Sequence, residues 1–277
     1  MNKHSVIVLA IITTWSFFLF SCNNKMDKKE LLTFDSIKVN RIEHLLGDTA
    51  KPYCNLIINI MYPSASNNAV LKDTMTHYIL ELCFGDDYTN QTPQIEVQNY
   101  ATHYITQYRQ ELEPTFKQES DKSVQEWYNY YRCIKGKANM CNANVLTYRL
   151  DLNEYTGGAH NIYSTTYENY DLIRMKKLKT DDLFKPNFQN ELTLDIITQL
   201  MKDEEVTTKE ALAEKGYGTT GTIYPTENFL LDKDGITFFY NVYEIAPYSN
   251  GTTAIRIPYS KLKNIINTEV FTRLGLI

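Results

Sequence analysis

The feature that most constrains the fold is a glycine pair, Gly157-Gly158, set between two runs with strand composition. In Val145 to Leu152, apolar and polar residues alternate. Ile162 to Leu172 also has an alternating pattern, which is rich in aromatic and β-branched residues. Alternation is typical of a strand with one buried face, and paired glycines allow the positive φ values of a bulge or turn. The pattern predicts two antiparallel strands joined here, with Gly157 and Gly158 as a structural turn motif.

A third aromatic run, Trp127 to Ile134, precedes these strands and also has strand composition. Together the three runs predict an antiparallel meander. Gly136 and the asparagines between residues 139 and 144 predict its first turn, which would place Cys133 and Cys141 on either side.

Earlier in the chain, the sequence predicts a smaller unit of strands and helices. Ile37 to Ile42 alternates, and Tyr53 to Tyr62 is apolar and β-branched. Apolar residues at three- and four-residue steps from Val70 to Cys83 predict a helix. A second helix is expected to start at Thr92-Pro93 and to end at Pro114.

The sequence pattern of the C-terminal part predicts further helices and three short strands. Phe188 to Met201 has helical spacing, a capping box opens at Thr207, and a last helix is expected after Pro258, carrying Leu262, Ile265 and Ile266. We therefore predict an α+β fold, mainly an antiparallel sheet with helices packed on one face, preceded by a smaller strand-helix unit. The expected domains are a small N-terminal α+β domain at 36–118 and a C-terminal α+β domain at 119–277.

The N-terminus has the pattern of a bacterial lipoprotein signal. Lys3 precedes an apolar run from Val6 to Phe20, which is short for a bilayer span, and Leu19-Phe20-Ser21 leads to Cys22. Residues 1–21 are predicted to be the signal peptide, and residues 22–35 a lipidated cysteine with a flexible tether. The alternative is a membrane-anchor helix with an incidental cysteine. The pattern predicts export and a lipid anchor at Cys22, on the periplasmic or surface side of an envelope membrane.

Charge excludes one class of partner. The formal net charge is −5, and no block of Lys and Arg forms the basic stripe that nucleic acid requires. Removal of residues 1–21 would take away Lys3 and make the chain one unit more negative. Cationic partners are therefore favoured over nucleic acid.

The remaining cysteines are Cys54, Cys83, Cys133 and Cys141. An oxidising compartment permits disulfides among them, but their spacing does not select a pairing. We expect buried free thiols for most of them. Their spacing does not suit zinc, so we predict neither a metal site nor a cofactor.

Three blocks of sequence occur in order along the chain: Tyr155 to His160, Tyr170-Asp171-Leu172 with Leu178 and Asp181 to Phe184, and Asp234 to Gly251 with Ile257 to Ser260. Together these blocks resemble a domain of unknown function. The domain is similar to the extracellular domain of lysozyme-sensing anti-sigma factors of the RsiV type and to the non-catalytic N-terminal module of PdaC-type peptidoglycan deacetylases. We expect neither a sigma-binding segment nor a deacetylase domain here, so the resemblance implies the binding module alone.

His160 and Glu244 are the weak candidates for acid-base chemistry. A general base needs a group that orients it, and glycoside hydrolysis needs a carboxylate pair, neither of which the sequence displays. The 21 tyrosines are expected mainly on half-buried strand and helix faces, with an aromatic surface for glycan or protein as the alternative.

The sequence thus predicts a non-catalytic binding protein, lipid-anchored in the cell envelope. Its ligand would be a cationic protein such as lysozyme or a cell-wall component. The alternatives are an enzyme acting on cell-wall glycan or peptide through His160 and Glu244, and a structural subunit of an outer-membrane assembly.

Overall fold

The computed structural model describes residues 31–120, 122–140 and 142–277 of the chain. The predicted signal peptide, Cys22 and the first part of the tether lie outside these residues, as does Cys141. The predictions made for them stay predictions.

A large sheet is the framework of the described part of the chain. Its six strands are β1 (Thr33–His44), β2 (Tyr53–Ala65), β3 (Tyr130–Met140), β4 (Val145–Tyr155), β5 (Ile162–Asp171) and β6 (Lys176–Leu178). They lie side by side in chain order, and only β2 and β3 are parallel to each other. This parallel pair crosses the boundary expected near residue 118, so strands of both predicted units share one sheet.

Two helices cover one face of the large sheet and supply the crossover that a parallel pair requires. The first, α1 (Ala69–Phe84), begins where the Asn68 side chain accepts a hydrogen bond from a first-turn amide. The second, α2, spans Pro93–Gln118. Met75 and Ile79 of α1 are fully buried against the inward side chains of β2.

Pro114 does not end α2, contrary to the sequence prediction, and lies inside the helix. The helix continues for one more turn and buries Phe116, whose ring packs edge-on against Tyr128 at 5.2 Å. A proline inside a helix destabilises it by about 3 kcal/mol, whereas burying a phenylalanine side chain stabilises the fold by about 1.5–3 kcal/mol. Tertiary packing therefore offsets a strong local stop signal.

The first turn of the meander lies at the end of the segment predicted for it, and Gly136 is not part of the turn. Gly136 sits in the middle of β3, where an added Cβ would come within 2.0 Å of the Tyr148 hydroxyl. The chain turns instead around Asn142, whose side chain accepts a hydrogen bond from the Asn144 amide at 2.7 Å. Cys133 is consequently in the sheet and not beside the turn.

The C-terminal part forms a small antiparallel sheet with helices around a core of its own. Phe229, Phe238 and Phe271 are at most 1% exposed in that core. The elements are α3 (Thr180–Leu183), α4 (Gln189–Asp203), α5 (Lys209–Glu214), β7 (Phe229–Leu231), β8 (Gly235–Tyr240), β9 (Thr253–Pro258) and α6 (Thr268–Leu274). The α+β class predicted from the sequence is confirmed.

The helix predicted to follow Pro258 and to include Ile266 begins only at Thr268. Ile266 instead forms an isolated antiparallel bridge with Phe184, which holds the preceding segment out of helical geometry. Asn267 then caps α6 by accepting a hydrogen bond from a first-turn amide. Directly after Pro258 the chain forms only a short 3-10 helix, Tyr259–Lys261, and the apolar spacing that follows it reflects core burial.

The three cysteines that the structure describes, Cys54, Cys83 and Cys133, are buried free thiols. For these three the sequence-based preference is confirmed. Burial raises the pKa of Cys54 and of Cys83 to about 12 in each case. Both thiols are therefore poor nucleophiles near neutral pH.

We expect Cys54 and Cys83 of the folded protein to resist iodoacetamide at pH 8. A pKa rise from 9 to about 12 lowers the thiolate fraction on the order of a thousandfold, because each pH unit changes it about tenfold. Peptide mass spectrometry after timed alkylation measures the rate, with guanidinium-unfolded protein as the fully labelled control. Rapid labelling of either thiol in the folded protein would contradict this expectation.

Candidate functional site

The Gly157-Gly158 turn and the loop between β8 and β9 meet at one edge of the large sheet. The His160 ring stacks on the Tyr248 ring with centroids 4.5 Å apart. The Tyr248 hydroxyl also donates a hydrogen bond to the Asn161 carbonyl at 3.3 Å. Two segments about ninety residues apart in the chain thus form one surface.

The turn itself depends on its glycines. Gly157 has φ of +89° and Gly158 has φ of +108°, a region that other residues rarely adopt. A Cβ on Gly157 would also lie 3.0 Å from the Trp127 carbonyl oxygen. The Tyr155 hydroxyl closes the turn by donating to the Gly158 carbonyl at 3.0 Å.

Four rings form what we call the aromatic surface: His160, Tyr163, Tyr243 and Tyr248. Tyr248 is at its centre and contacts Tyr163 edge-on at 5.7 Å and Tyr243 at 5.5 Å. Tyr243 is 54% exposed and has a positive φ of +70°. Holding an exposed tyrosine in this conformation costs free energy, and such strain clusters at functional sites.

Side-chain amides hold the β8–β9 loop against the large sheet. Asn241 accepts a hydrogen bond from the Thr165 amide at 2.7 Å and donates to the Thr165 carbonyl at 3.1 Å. Asn228 accepts from the Tyr167 amide at 2.8 Å and also donates to the Thr165 carbonyl. The two asparagines thereby satisfy the backbone along the edge of β5 that β6 does not cover.

We call Asn228 and Asn241 the asparagine clamps, and Glu244 lies next to Asn241. Its Oε1 atom is 3.5 Å from the Asn241 side-chain amide, while Oε2 is buried without a hydrogen-bond partner. The loop from Gly218 to Gly221 packs on its backbone, since a Cβ on Gly221 would lie 2.4 Å from the Glu244 carbonyl oxygen. The carboxylate is therefore fixed beside Thr165 with one acceptor unused.

A groove of about 300 Å³ runs next to the aromatic surface, on the face of the large sheet opposite α1 and α2. Tyr163 belongs to both features, and Thr165 in the groove is hydrogen-bonded to Asn241 next to the β8–β9 loop. Asp151 in the groove accepts from the Thr165 hydroxyl at 2.6 Å and from Arg149 at 2.9 Å. Burial and the neighbouring Cys133 raise the pKa of Tyr131, which therefore stays a neutral phenol.

The structure brings His160 and Glu244 to the same region but does not connect them directly. The His160 Nδ1 atom is 3.2 Å from the Asn161 carbonyl oxygen, and no described Asp or Glu forms an ion pair or hydrogen bond with the ring. Tyr248 contacts His160, whereas Asn241 contacts Glu244. The imidazole is thus positioned by a backbone carbonyl and by ring stacking, and within the described residues no carboxylate shares that role.

Across the described ranges, no cluster of His, Cys, Asp and Glu is placed to hold a metal ion. None of the helices there is long and apolar enough to span a bilayer.

Sequence reasoning did not single out Asn228, Asn241 or Tyr248. Asn228 precedes β7 and Asn241 follows β8, positions where an asparagine usually indicates a turn, and Tyr248 lies in the middle of the β8–β9 loop. Only the position of β5 beside the small sheet converts the two asparagines into clamps. The available signal was an asparagine directly before one short strand and directly after the next, and this signal is weak.

Comparisons with known proteins identify the family. The sequence profile of the family described as "Protein of unknown function (DUF3298)" matches residues 181–260. A solved member of that family from Bacteroides fragilis NCTC 9343 is 48% identical, covers 87% of this chain and 97% of its own, and has a TM-score of 0.84. This chain belongs to the DUF3298 family. The family resemblance predicted from the three sequence blocks is confirmed.

Two more distant relatives are also similar to this DUF3298 protein in sequence or in fold. The peptidoglycan-N-acetylmuramic acid deacetylase PdaC of Bacillus subtilis (strain 168) is 25% identical over 189 residues, which cover 62% of this chain and only 39% of the deacetylase. A DUF3298 protein from Pseudomonas aeruginosa PAO1 is 17% identical, with a TM-score of 0.59 over 86% of this chain and 96% of its own. The Pseudomonas structure shows the shared fold alone.

We expect Asn241→Ala to loosen the joint between the β8–β9 loop and β5. Loss of the clamp frees the Thr165 amide, so hydrogen exchange in residues 162–168 should accelerate by about tenfold or more. Hydrogen-exchange mass spectrometry measures this directly. Asn250→Ala is the matched control, because that amide lies in the same loop but bonds to Lys215. Equal exchange in both variants would show that Asn241 does not hold the loop.

Proposed function

We propose that this protein is a lipid-anchored binding protein of the cell envelope that has no catalytic activity. It captures its ligand on the aromatic surface. The observation that carries the proposal is the chain of ring contacts from His160 and Tyr163 through Tyr248 to Tyr243, fixed on a sheet edge. Such rings provide large contact areas at low entropic cost, and binding hot spots are enriched in them.

The chemistry of the site favours binding over catalysis. The imidazole of His160 is occupied by stacking and faces a backbone carbonyl, which leaves it without an orienting carboxylate. Within the described residues the hydrogen-bond partner of the Glu244 carboxylate is the Asn241 side-chain amide, whereas hydrolysis of a glycoside requires two cooperating carboxyl groups.

Two ligand classes fit the proposal. Lysozyme, a cationic protein, is suggested by the resemblance to lysozyme-sensing domains and by the net charge of −5, which favours encounter with cations. A cell-wall component is suggested by the name of the Bacillus relative, a peptidoglycan deacetylase. Either ligand would be met outside the inner membrane.

The location follows from the predicted export signal and from that same relative. Lipidation of Cys22 would hold the folded part close to the membrane surface, while the tether would let it reach the wall. The protein would then act where its ligands are found.

We expect Tyr248→Ala to weaken ligand binding by about thirtyfold, because truncating a central hot-spot ring costs about 2 kcal/mol or more. Tyr248→Phe keeps the ring and should change the affinity less than about threefold. Calorimetry with lysozyme and sedimentation with insoluble peptidoglycan, each using the protein from residue 23 onward, measure the two ligand classes.

Leu194→Ala is the matched control, since it removes an apolar side chain that is 56% exposed on another face. Absence of binding to both ligands would overturn the proposal. Release of soluble muropeptides by the parent, abolished in His160→Ala or Glu244→Ala, would establish the enzymatic alternative instead.

We also expect Cys22→Ser to abolish incorporation of labelled palmitate and to release the protein from the membrane fraction. The serine hydroxyl cannot form the thioether that retains a lipoprotein. Cys141→Ser is the matched control and should leave both the label and the membrane association unchanged. Continued labelling of the Cys22 variant would contradict lipidation at this position.

A further inference from the structure

The face of the large sheet opposite α1 and α2 carries a cluster of positive charge. Ile58 and Ile60 of β2 are buried under α1, so the side chain of Asn59 between them points to the opposite face. Strand pairing aligns Asn59 with Lys38 of β1 and with Lys135 of β3. This row of the sheet therefore has a cation on each side of Asn59.

A second row on the same face, two residues farther along β3, adds two more cations. There Lys137 of β3 pairs directly with Arg149 of β4. All four side chains are exposed, and the spacing of strands and residues places their Cα atoms within about 20 Å of one another. We call these four residues the basic face: Lys38, Lys135, Lys137 and Arg149.

The positive charge of the basic face is largely uncompensated. Among the described residues of β1 to β4 that point this way, Asp151 is the one acid, and it accepts hydrogen bonds from Arg149 at 2.9 Å and from Thr165 at 2.6 Å. The three lysines of the basic face form no ion pair with a described residue. Lys137 and Arg149 also stand directly opposite each other, an arrangement of like charges that destabilises a sheet. An approaching anion would relieve this repulsion.

The charge of this face is opposite to that of the chain as a whole. The formal net charge is −5, so a broad anionic surface repels most orientations of the protein and attracts it when the basic face is turned toward it. The four cations come from three different strands, which is why no block of the sequence displays them. The partner that fits is anionic and wide enough to reach all four.

The chain enters the large sheet close to the basic face. The Leu31 carbonyl accepts a hydrogen bond from the Ser66 hydroxyl at 2.7 Å, so the fold holds the chain from this point onward. β1 begins at Thr33, and Lys38 lies five residues farther, which is about 17 Å along a strand. Cys22 precedes Leu31 by nine residues, a length that spans at most about 30 Å. A lipid on Cys22 would therefore keep this end of the sheet near the headgroups of the membrane.

The aromatic surface lies toward the other end of the large sheet. β1 and β4 run in the same direction, because β1 and β4 are each antiparallel to one strand of the parallel pair β2 and β3. β4 ends at Tyr155, six residues beyond Arg149, which is about 20 Å along a strand. The Gly157-Gly158 turn follows there. Contact of the basic face with a membrane thus leaves the aromatic surface open to a ligand.

We propose that the basic face docks on the anionic phospholipid headgroups of the membrane that holds the lipid anchor. The lipid holds the protein at the membrane, and the basic face sets its orientation there. This inference rests on the proposed lipid anchor at Cys22 and adds a second, electrostatic contact made by the folded part of the chain.

Sedimentation with vesicles tests this contact without the lipid, using the chain from residue 23 onward, which includes every residue that the structure describes. We expect at least tenfold higher affinity for vesicles of phosphatidylethanolamine and phosphatidylglycerol than for vesicles of phosphatidylcholine. Raising NaCl from about 0.05 M to about 0.5 M should remove this difference, because salt screens the charges.

A double variant, Lys135→Gln with Lys137→Gln, should bind the phosphatidylglycerol vesicles about twentyfold more weakly, because each cation near an anionic surface strengthens binding by about fivefold. Lys202→Gln with Lys209→Gln is the matched control. It changes the net charge equally at exposed positions of α4 and α5 and should bind like the parent. All variants should keep the parent's circular dichroism spectrum, since the substituted side chains are exposed.

Three results would overturn the proposal: no binding to the phosphatidylglycerol vesicles at low salt, equal binding to both kinds of vesicle, or equal loss of binding in both double variants. Binding to soluble polyglutamate but not to vesicles would assign the basic face to an acidic protein instead. If palmitate labels Cys22 and lysozyme or peptidoglycan binds but the vesicles do not, the docking falls and the proposed function stands. If the vesicles bind and the label is absent, the anchor falls and the basic face stands.

Discussion

Side-chain amides between the two sheets are the interaction on which the rest of this structure depends. Asn169, only 1% exposed, donates to the Phe229 carbonyl at 2.6 Å and accepts from the Leu231 amide at 3.0 Å. Asn228 and Asn241 repeat this arrangement farther along β5. An asparagine amide carries a donor and an acceptor side by side, as a backbone peptide does. These three residues therefore join strands that do not pair directly.

The position of the candidate site follows from this joint. The small sheet brings the β8–β9 loop to β5, and the loop then meets the turn that Gly157 and Gly158 shape. Tyr248 belongs to the loop and His160 to the turn, so neither segment could form the aromatic surface alone. The groove, by contrast, is lined by residues of β3, β4 and β5 of the large sheet. A ligand at this edge would contact both sheets.

The same geometry explains why His160 and Glu244 are weak candidates for catalysis. Each is held by a residue of its own surroundings, His160 by Tyr248 and Glu244 by Asn241. A site built for proton transfer places the acid and the base in contact with the same reacting group. The proposed binding function instead requires rings and acceptors spread over an area, which is the pattern around Tyr248.

The sequence by itself determined the local elements: the alternating runs gave β4 and β5, helical periodicity gave α1, and three blocks gave the family. It could not determine where burial overrides local preference, as at Pro114 and Ile266, nor the parallel pairing of β2 with β3 across the expected boundary. The aromatic surface, the asparagine clamps and the unused acceptor of Glu244 were decided by tertiary structure alone. The physical reason is range: propensity and periodicity act over a few residues, whereas these contacts join segments more than sixty residues apart.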